Sequence, residues 1–228
     1  ILFGAATVYY FQLSPFFLLL IPLFIVITFL IAAVLENHLA VTFNLPGLSL
    51  PFIISLFIYL IFLANYQDLQ YAVNATDEKM FEFFPLIVKN FFKSLALIYF
   101  QPNILTGVVI AVGLLIFSRA LFVLSISSYL ISGFVLQAIL PQQAESLMVL
   151  VGFNSILTAF ALGGSLVLPS GKSFLLAMLA TPLVVIFTGF FSVLLIKSGL
   201  PVLVLPFNFI TLATIYSLKF RKDQTELV

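Results

Sequence analysis

The chain has 228 residues, of which 63% are apolar and only 7% charged, with 28 Phe and no Cys. An ordinary soluble domain carries about 25% charged residues, so this much apolar surface needs an apolar solvent, and the chain is expected to be an integral membrane protein. A net charge of +1 leaves no electrostatic footprint for nucleic acid, a chain without Cys forms no disulfide, iron–sulfur cluster or thiolate metal site, and His38 alone makes no His-based metal site.

Charged residues and His38 divide the chain into uncharged windows at 1–35, 39–67, 94–118, 120–144, 146–171, 173–196 and 198–218. Each reaches about 20 residues, the length of a helix that crosses a bilayer. No strand-like alternation runs through them, so the expected fold is an all-α membrane bundle. The first window opens inside a hydrophobic run at Ile1, not Met, which reads as a fragment or a processed chain. It shows no basic leader of the secretory kind. After the interruption at Ser14-Pro15, the clean span is Phe16–Leu35, and Glu36 and His38 are expected at a helix end in the membrane interface.

Window 39–67 contains Asn44, Pro46, Gly47, Ser49 and Pro51, and window 198–218 contains Gly199, Pro201 and Pro206. Proline removes a backbone donor and interrupts helices. Non-helical backbone at membrane depth survives only inside protein or beside a water-filled cavity. Both windows are therefore expected to be broken or re-entrant. Between them, residues 66–93 form the longest polar stretch, with Asp68, Asp77, Glu78, Lys79, Glu82, Lys89 and Lys93, and mark a boundary between two halves.

Asn74-Ala75-Thr76 is a glycosylation sequon, a pattern common by chance. Gly171-Lys172-Ser173 resembles the end of a phosphate loop, but Leu166 stands where the first Gly of that motif is required. Arg119, Lys172 and Lys197 close windows, where long side chains reach the headgroups, and Glu145 after Pro141-Gln142-Gln143 reads as a loop charge. The basic tail from Lys219 through Arg221 and Lys222 places the C-terminus in the cytoplasm by the positive-inside rule, in a plasma (inner) membrane.

The two broken windows repeat each other. Leu45-Pro46-Gly47-Leu48-Ser49-Leu50-Pro51-Phe52 and Leu200-Pro201-Val202-Leu203-Val204-Leu205-Pro206-Phe207 agree at six of eight positions, at a spacing of 155 residues. The same spacing sets Ile1-Leu2 on Ile156-Leu157 and Ile31 on Ile186 without a gap. Two Pro and one Phe in register are hard to obtain by chance. Paired, Pro/Gly-interrupted hydrophobic segments in two halves point to a transporter binding site and to an inverted repeat. The expected organisation is 1–65 as the C-terminal part of a first repeat, 66–90 as an inter-repeat loop, 91–220 as the second repeat and 221–228 as a tail. On this reading about 65 residues of the first half precede Ile1.

A third signature follows Glu145: Gly152-Phe153-Asn154-Ser155-Ile156-Leu157, continuing to Gly163-Gly164. With the paired Leu-Pro-x-x-x-x-Pro-Phe segments and Asn103-Ile104-Leu105-Thr106-Gly107, it resembles the urea transporter family of bacterial type. The resemblance runs in order along the whole chain, with only the front of the first half lacking. It implies a homotrimer whose subunits each conduct urea passively through a slot between two inverted halves. It implies no cofactor, no metal and no catalysis.

In that resemblance Phe153 and Leu157 match slot walls of the second half, and Leu2 the equivalent wall of the first. Ser49 stands where the family usually has Thr, and its hydroxyl can still accept a hydrogen bond. Val204 stands at the matching Thr of the second half and cannot accept one. Leu97 falls where many members place a Gln or Glu facing urea. Asn103, Asn154, Pro46, Pro51, Phe52, Pro201, Pro206 and Phe207 carry the structural motifs, with Asn154 expected to cap or brace a break. Ser49, Val204, Phe153 and Leu157 are expected to approach one constriction near mid-membrane.

The polar losses at Val204 and Leu97 leave open another small neutral solute, such as a urea analogue or amide, or a non-conducting homologue. A membrane enzyme would need a catalytic dyad or carboxylate cluster, and the windows contain no Asp, Glu, Lys, Arg or His. The paired Asn-Pro-Ala loops of water channels are absent, and one His cannot supply the paired pore His of ammonium channels.

Overall fold

The computed structural model describes residues 15–63, 81–142 and 144–225. Leu2, the sequon at Asn74 and all the charges between 66 and 80 lie outside the described residues. Among the described residues every regular element is helical. We number the α-helices in chain order: α1 Pro15–His38, α2 Leu50–Leu63, α3 Leu86–Ala96, α4 Ile104–Phe117, α5 Arg119–Ile139, α6 Ala144–Phe160, α7 Gly171–Ile196 and α8 Leu205–Thr225.

Four helical stretches are long and apolar enough to cross a membrane: Leu19–Phe43, Arg119–Ile139, Leu147–Ser165 and Gly171–Leu195. Two of them extend past the end of an α-helix into a wide π turn, Leu39–Phe43 after α1 and Ala161–Ser165 after α6. Pro22 in α1 and Pro182 in α7 lie inside helices that continue through them. Spanning helices tolerate this because neighbouring groups satisfy the freed carbonyl.

Window 94–118 is not one span. Its helix begins earlier, at Leu86, so that Lys89 and Lys93 are helical. It ends in a 3-10 turn, Leu97–Tyr99, and α4 then leaves at 82°. The bend rests on Phe100, left-handed with φ 60°, and on Asn103, whose side-chain oxygen accepts from Leu105 N at 2.8 Å to cap α4. Charge counting missed this because the break carries no charge: the Pro102-Asn103 signal is a proline followed by an N-cap residue.

The residues group into two compact units, Ile1–Val73 with Leu195–Val228, and Asn74–Leu194. In the first, α1 and α2 pack around Leu20, Phe24, Leu56, Tyr59 and Leu63, with Phe52 and Leu203 against that core. Phe24 meets Tyr59 edge to face at 4.6 Å between ring centres. In the second, Leu95, Ala111, Tyr129 and Ile156 from α3, α4, α5 and α6 form one cluster. Polar groups tie the short α3 into this unit: Tyr129 Oη donates to Ile87 O at 2.8 Å and Ser94 Oγ to Val149 O at 3.1 Å.

Close backbone approach at the bend depends on Gly107. A Cβ there would overlap the backbone carbonyl of Phe92, whereas a Cβ at Gly113, two turns on in the same helix, would meet nothing. Gly107→Ala is therefore expected to destabilise by about 1–3 kcal/mol, the range for overpacking. Gly113→Ala should be neutral or stabilise by up to about 1 kcal/mol through helix propensity. Thermal unfolding in detergent distinguishes them, and equal midpoints for the two variants would contradict the packing.

Candidate functional site

The paired broken windows meet in the first unit. The chain enters each break through a left-handed residue, Asn44 with φ 50° and Gly199 with φ 62°. It leaves through another, Leu48 with φ 49° and Leu203 with φ 52°. Both pairs stand at the spacing of 155 residues. Leu50 N donates to Gly47 O at 3.2 Å as Leu205 N does to Val202 O at 3.3 Å. Ile53 N donates to Ser49 O at 3.1 Å as Asn208 N does to Val204 O at 3.0 Å. Ser49 and Val204 thus hold equivalent N-cap positions at the starts of α2 and α8. The approaches differ by one residue: Leu45 N reaches Leu39 O, across the π turn, but Leu200 N reaches Leu195 O.

Two of the four prolines do not make these breaks. Pro51 and Pro206 are the second residues of α2 and α8, where the N–H has no partner inside the helix and proline is tolerated. Both are buried, as is Phe207, while Phe52 is half-buried, so the Pro-Phe pairs serve packing. Pro46 is half-buried and Pro201 exposed, each inside a break. The left-handed backbone of both breaks falls on other residues, Asn44, Leu48, Gly199 and Leu203.

One side chain joins the two breaks. Asn208 Nδ2 donates to Ser49 Oγ and to Val204 O, both at 2.7 Å, and Asn208 Oδ1 accepts from Ser49 N at 3.2 Å. Asn208 is 1% exposed, Val204 is buried and Ser49 is half-buried. Beside this clasp, Lys219 Nζ donates to the carbonyls of Asn44 and Phe43 at the end of the π turn. Phe43 and Tyr216 meet edge to face at 6.2 Å. Glu36 and His38 lie exposed in the last turn of α1, and Gly47 accommodates the Glu36 side chain, whose Cγ would lie 2.7 Å from a Cβ at 47.

In the second unit, α6 is the most enclosed of the four spans, with 61% of its window buried against 11% for α1. It carries Phe153, buried, and Leu157, half-buried. Gly152 is there because α3 and α5 come close: a Cβ would sit 2.5 Å from Ser94 Oγ and 2.7 Å from Tyr129 Cδ2. Asn154 lies in the body of α6, not at a break, and its Nδ2 donates to Leu150 O at 3.0 Å. Leu97 is half-buried and opens the 3-10 turn, which packs against α6.

Three polar groups were not singled out from the sequence. Asn208 stands one turn after Val204, a polar residue inside an apolar window, and that position was its signal. Ser155 Oγ and Thr211 Oγ1 are buried without a hydrogen-bond partner among the described residues. A buried group left unpaired costs about 1–3 kcal/mol, so each marks a place where the interior offers hydrogen-bonding capacity.

An all-helical integral membrane protein with two like-built breaks is the class these features define. A family model described as urea transporter matches residues 1–219, and the chain belongs to that family. The family is one of transporters, with urea as its solute. No curated protein matches the chain in a direct comparison.

Gly199 offers a test of the breaks. A Cβ at this residue meets nothing, so only its backbone conformation opposes substitution. Gly199→Ala should destabilise by about 1 kcal/mol. Gly199→Asn should cost less, because Asn tolerates the left-handed region and Asn44 already occupies it in the matching break. Thermal midpoints in the order Gly, Asn, Ala are expected; Ala equal to Gly would contradict the left-handed assignment.

Proposed function

We propose that the chain conducts urea passively through a narrow slot between two inverted halves, residues 1–65 and 91–220. The observation that carries this reading is the pairing of the breaks, whose Ser49 hydroxyl is half-buried and held in place within a chain of the urea transporter family. Non-helical backbone inside a membrane protein requires a protein or water neighbour, and two such segments joined to each other suit the middle of a solute path.

Urea is flat, neutral and strongly hydrated. Stripping its water without replacement costs several kcal/mol. Ser49 Oγ and the oxygens freed at the breaks would offset part of that loss, while Leu2, Phe153 and Leu157 would form apolar walls and Leu97 an apolar stretch of the path. Ions are excluded because the walls offer no charge in place of their hydration shell. Release stays fast when no single site binds tightly. The assembly is a homotrimer in the plasma membrane with a cytoplasmic C-terminus.

A second reading, conduction of a less polar neutral solute such as a urea analogue or amide, is favoured by Val204 and Leu97. Both are apolar where the resemblance implies groups that bond urea.

Stopped-flow light scattering on proteoliposomes of the full chain under a urea gradient tests the proposal. Urea flux should exceed that of empty liposomes. Ser49→Ala should lower it by about two- to tenfold, the equivalent of one neutral hydrogen bond of about 0.5–1.5 kcal/mol. Wild-type flux equal to that of empty liposomes would overturn the assignment of urea, and methylurea or acetamide flux above background would support the second reading.

A further inference from the structure

We infer that Asn208 is the positioning residue of the solute path: it turns the Ser49 hydroxyl away from its own helix and sets the preference for a carbonyl solute. This rests on the reading that Ser49 faces the solute.

The inference starts from a broken symmetry. At the spacing of 155 residues Ser49 matches Val204 and Asn208 matches Ile53. At these two matched positions each half therefore carries one hydrogen-bonding side chain, on the N-cap in the first and one turn later in the second. Ile53 and Asn208 are each 1% exposed. A buried amide in an apolar surrounding must be satisfied, and among the described residues the Asn208 amide is satisfied by the two break residues: Ser49 N and Oγ, and Val204 O. These partners also fix the orientation of the amide. An N–H at Ser49 requires the oxygen, and a C=O at Val204 requires the nitrogen.

The consequence lies at Ser49. A Ser in an N-cap position ordinarily turns its hydroxyl onto the first N–H groups of its own helix. Here one lone pair of Oγ instead accepts from Asn208 Nδ2. That leaves the O–H and one lone pair to meet a solute, a donor and an acceptor on one atom. Urea presents a carbonyl oxygen beside its N–H groups and can use both. Thiourea presents the same N–H groups beside sulfur, a weaker acceptor, so the discrimination between the two reports the O–H that Asn208 leaves free.

Asn208→Thr isolates this contact. Threonine in these helices donates to the carbonyl four residues back, as Thr188 Oγ1 does to Val184 O at 2.7 Å. At 208 it would keep the bond to Val204 O and lose the reach to Ser49. Asn208→Leu, similar in volume and without polar atoms, serves as the second variant. Proteoliposome flux of urea and of thiourea is measured for wild type, Asn208→Thr, Asn208→Leu, Ser49→Ala and Asn208→Thr with Ser49→Ala, with thermal midpoints in parallel.

The expected result is a fall in urea flux of about two- to tenfold in Asn208→Thr, a smaller urea-to-thiourea ratio, and no further loss when Ser49→Ala is added. A ratio equal to wild type in both Asn208 variants, or losses that add to those of Ser49→Ala, would make Asn208 merely structural and overturn the inference while urea conduction stands. Wild-type urea flux equal to that of empty liposomes would instead remove the proposed function, and this inference with it.

Discussion

A helix that stops inside an apolar medium leaves backbone N–H and C=O groups without water to take them, and the design of this chain follows from that constraint. Each unsatisfied group costs several kcal/mol in hydrocarbon. The breaks before α2 and α8 answer with short internal turns, with left-handed residues at Asn44, Leu48, Gly199 and Leu203, and with one amide, Asn208, that serves two loops. Lys219 adds a cation over the carbonyls that end the first π turn, where a positive charge is favoured by the helix dipole. In the proposed solute path, the O–H of Ser49 is the hydrogen-bonding capacity that remains once the backbone is satisfied.

The second unit meets the same constraint by different means. Its short α3 ends in a bend of 82° and is held by Tyr129 and Ser94, side chains that donate to carbonyls of neighbouring helices. Small residues let the backbones approach: Gly107 against Phe92 and Gly152 against Ser94 and Tyr129. Without a hydrophobic drive between helices in lipid, such close packing and interhelical hydrogen bonds supply the cohesion. The apolar residues left outside, Phe29 and Val34 on α1 or Leu179 and Val193 on α7, are exposed on the protein and suited to acyl chains.

Much of this was legible in the residues. Composition demanded a membrane, and the spacing between Leu-Pro-x-x-x-x-Pro-Phe segments exposed a repeat that the backbone carries down to single φ angles at Asn44 and Gly199. The mechanism of the breaks was not legible, because proline signals a break without saying which residue turns the chain; Leu48 and Leu203, ordinary residues in an unusual conformation, do so. Charge counting hid the bend at Phe100, since that break lies inside an uncharged window. Asn208 escaped because no motif contains it: its meaning comes from Ser49, 159 residues away. Asn154, in a motif, has one donor on a carbonyl of its own helix, a bond the motif does not announce.

The proposed urea path runs along the first break, and the absence of Cys from these 228 residues makes occupancy there directly measurable. A single Ser49→Cys, in the full chain in membranes, is exposed to a small neutral water-soluble thiol reagent with and without urea, beside Ile58→Cys on the exposed face of α2. Modification of Cys at 49 that urea slows, with no effect of urea at 58, is the predicted result. A thiol at 49 that is inert, or that reacts equally fast in saturating urea, would contradict it.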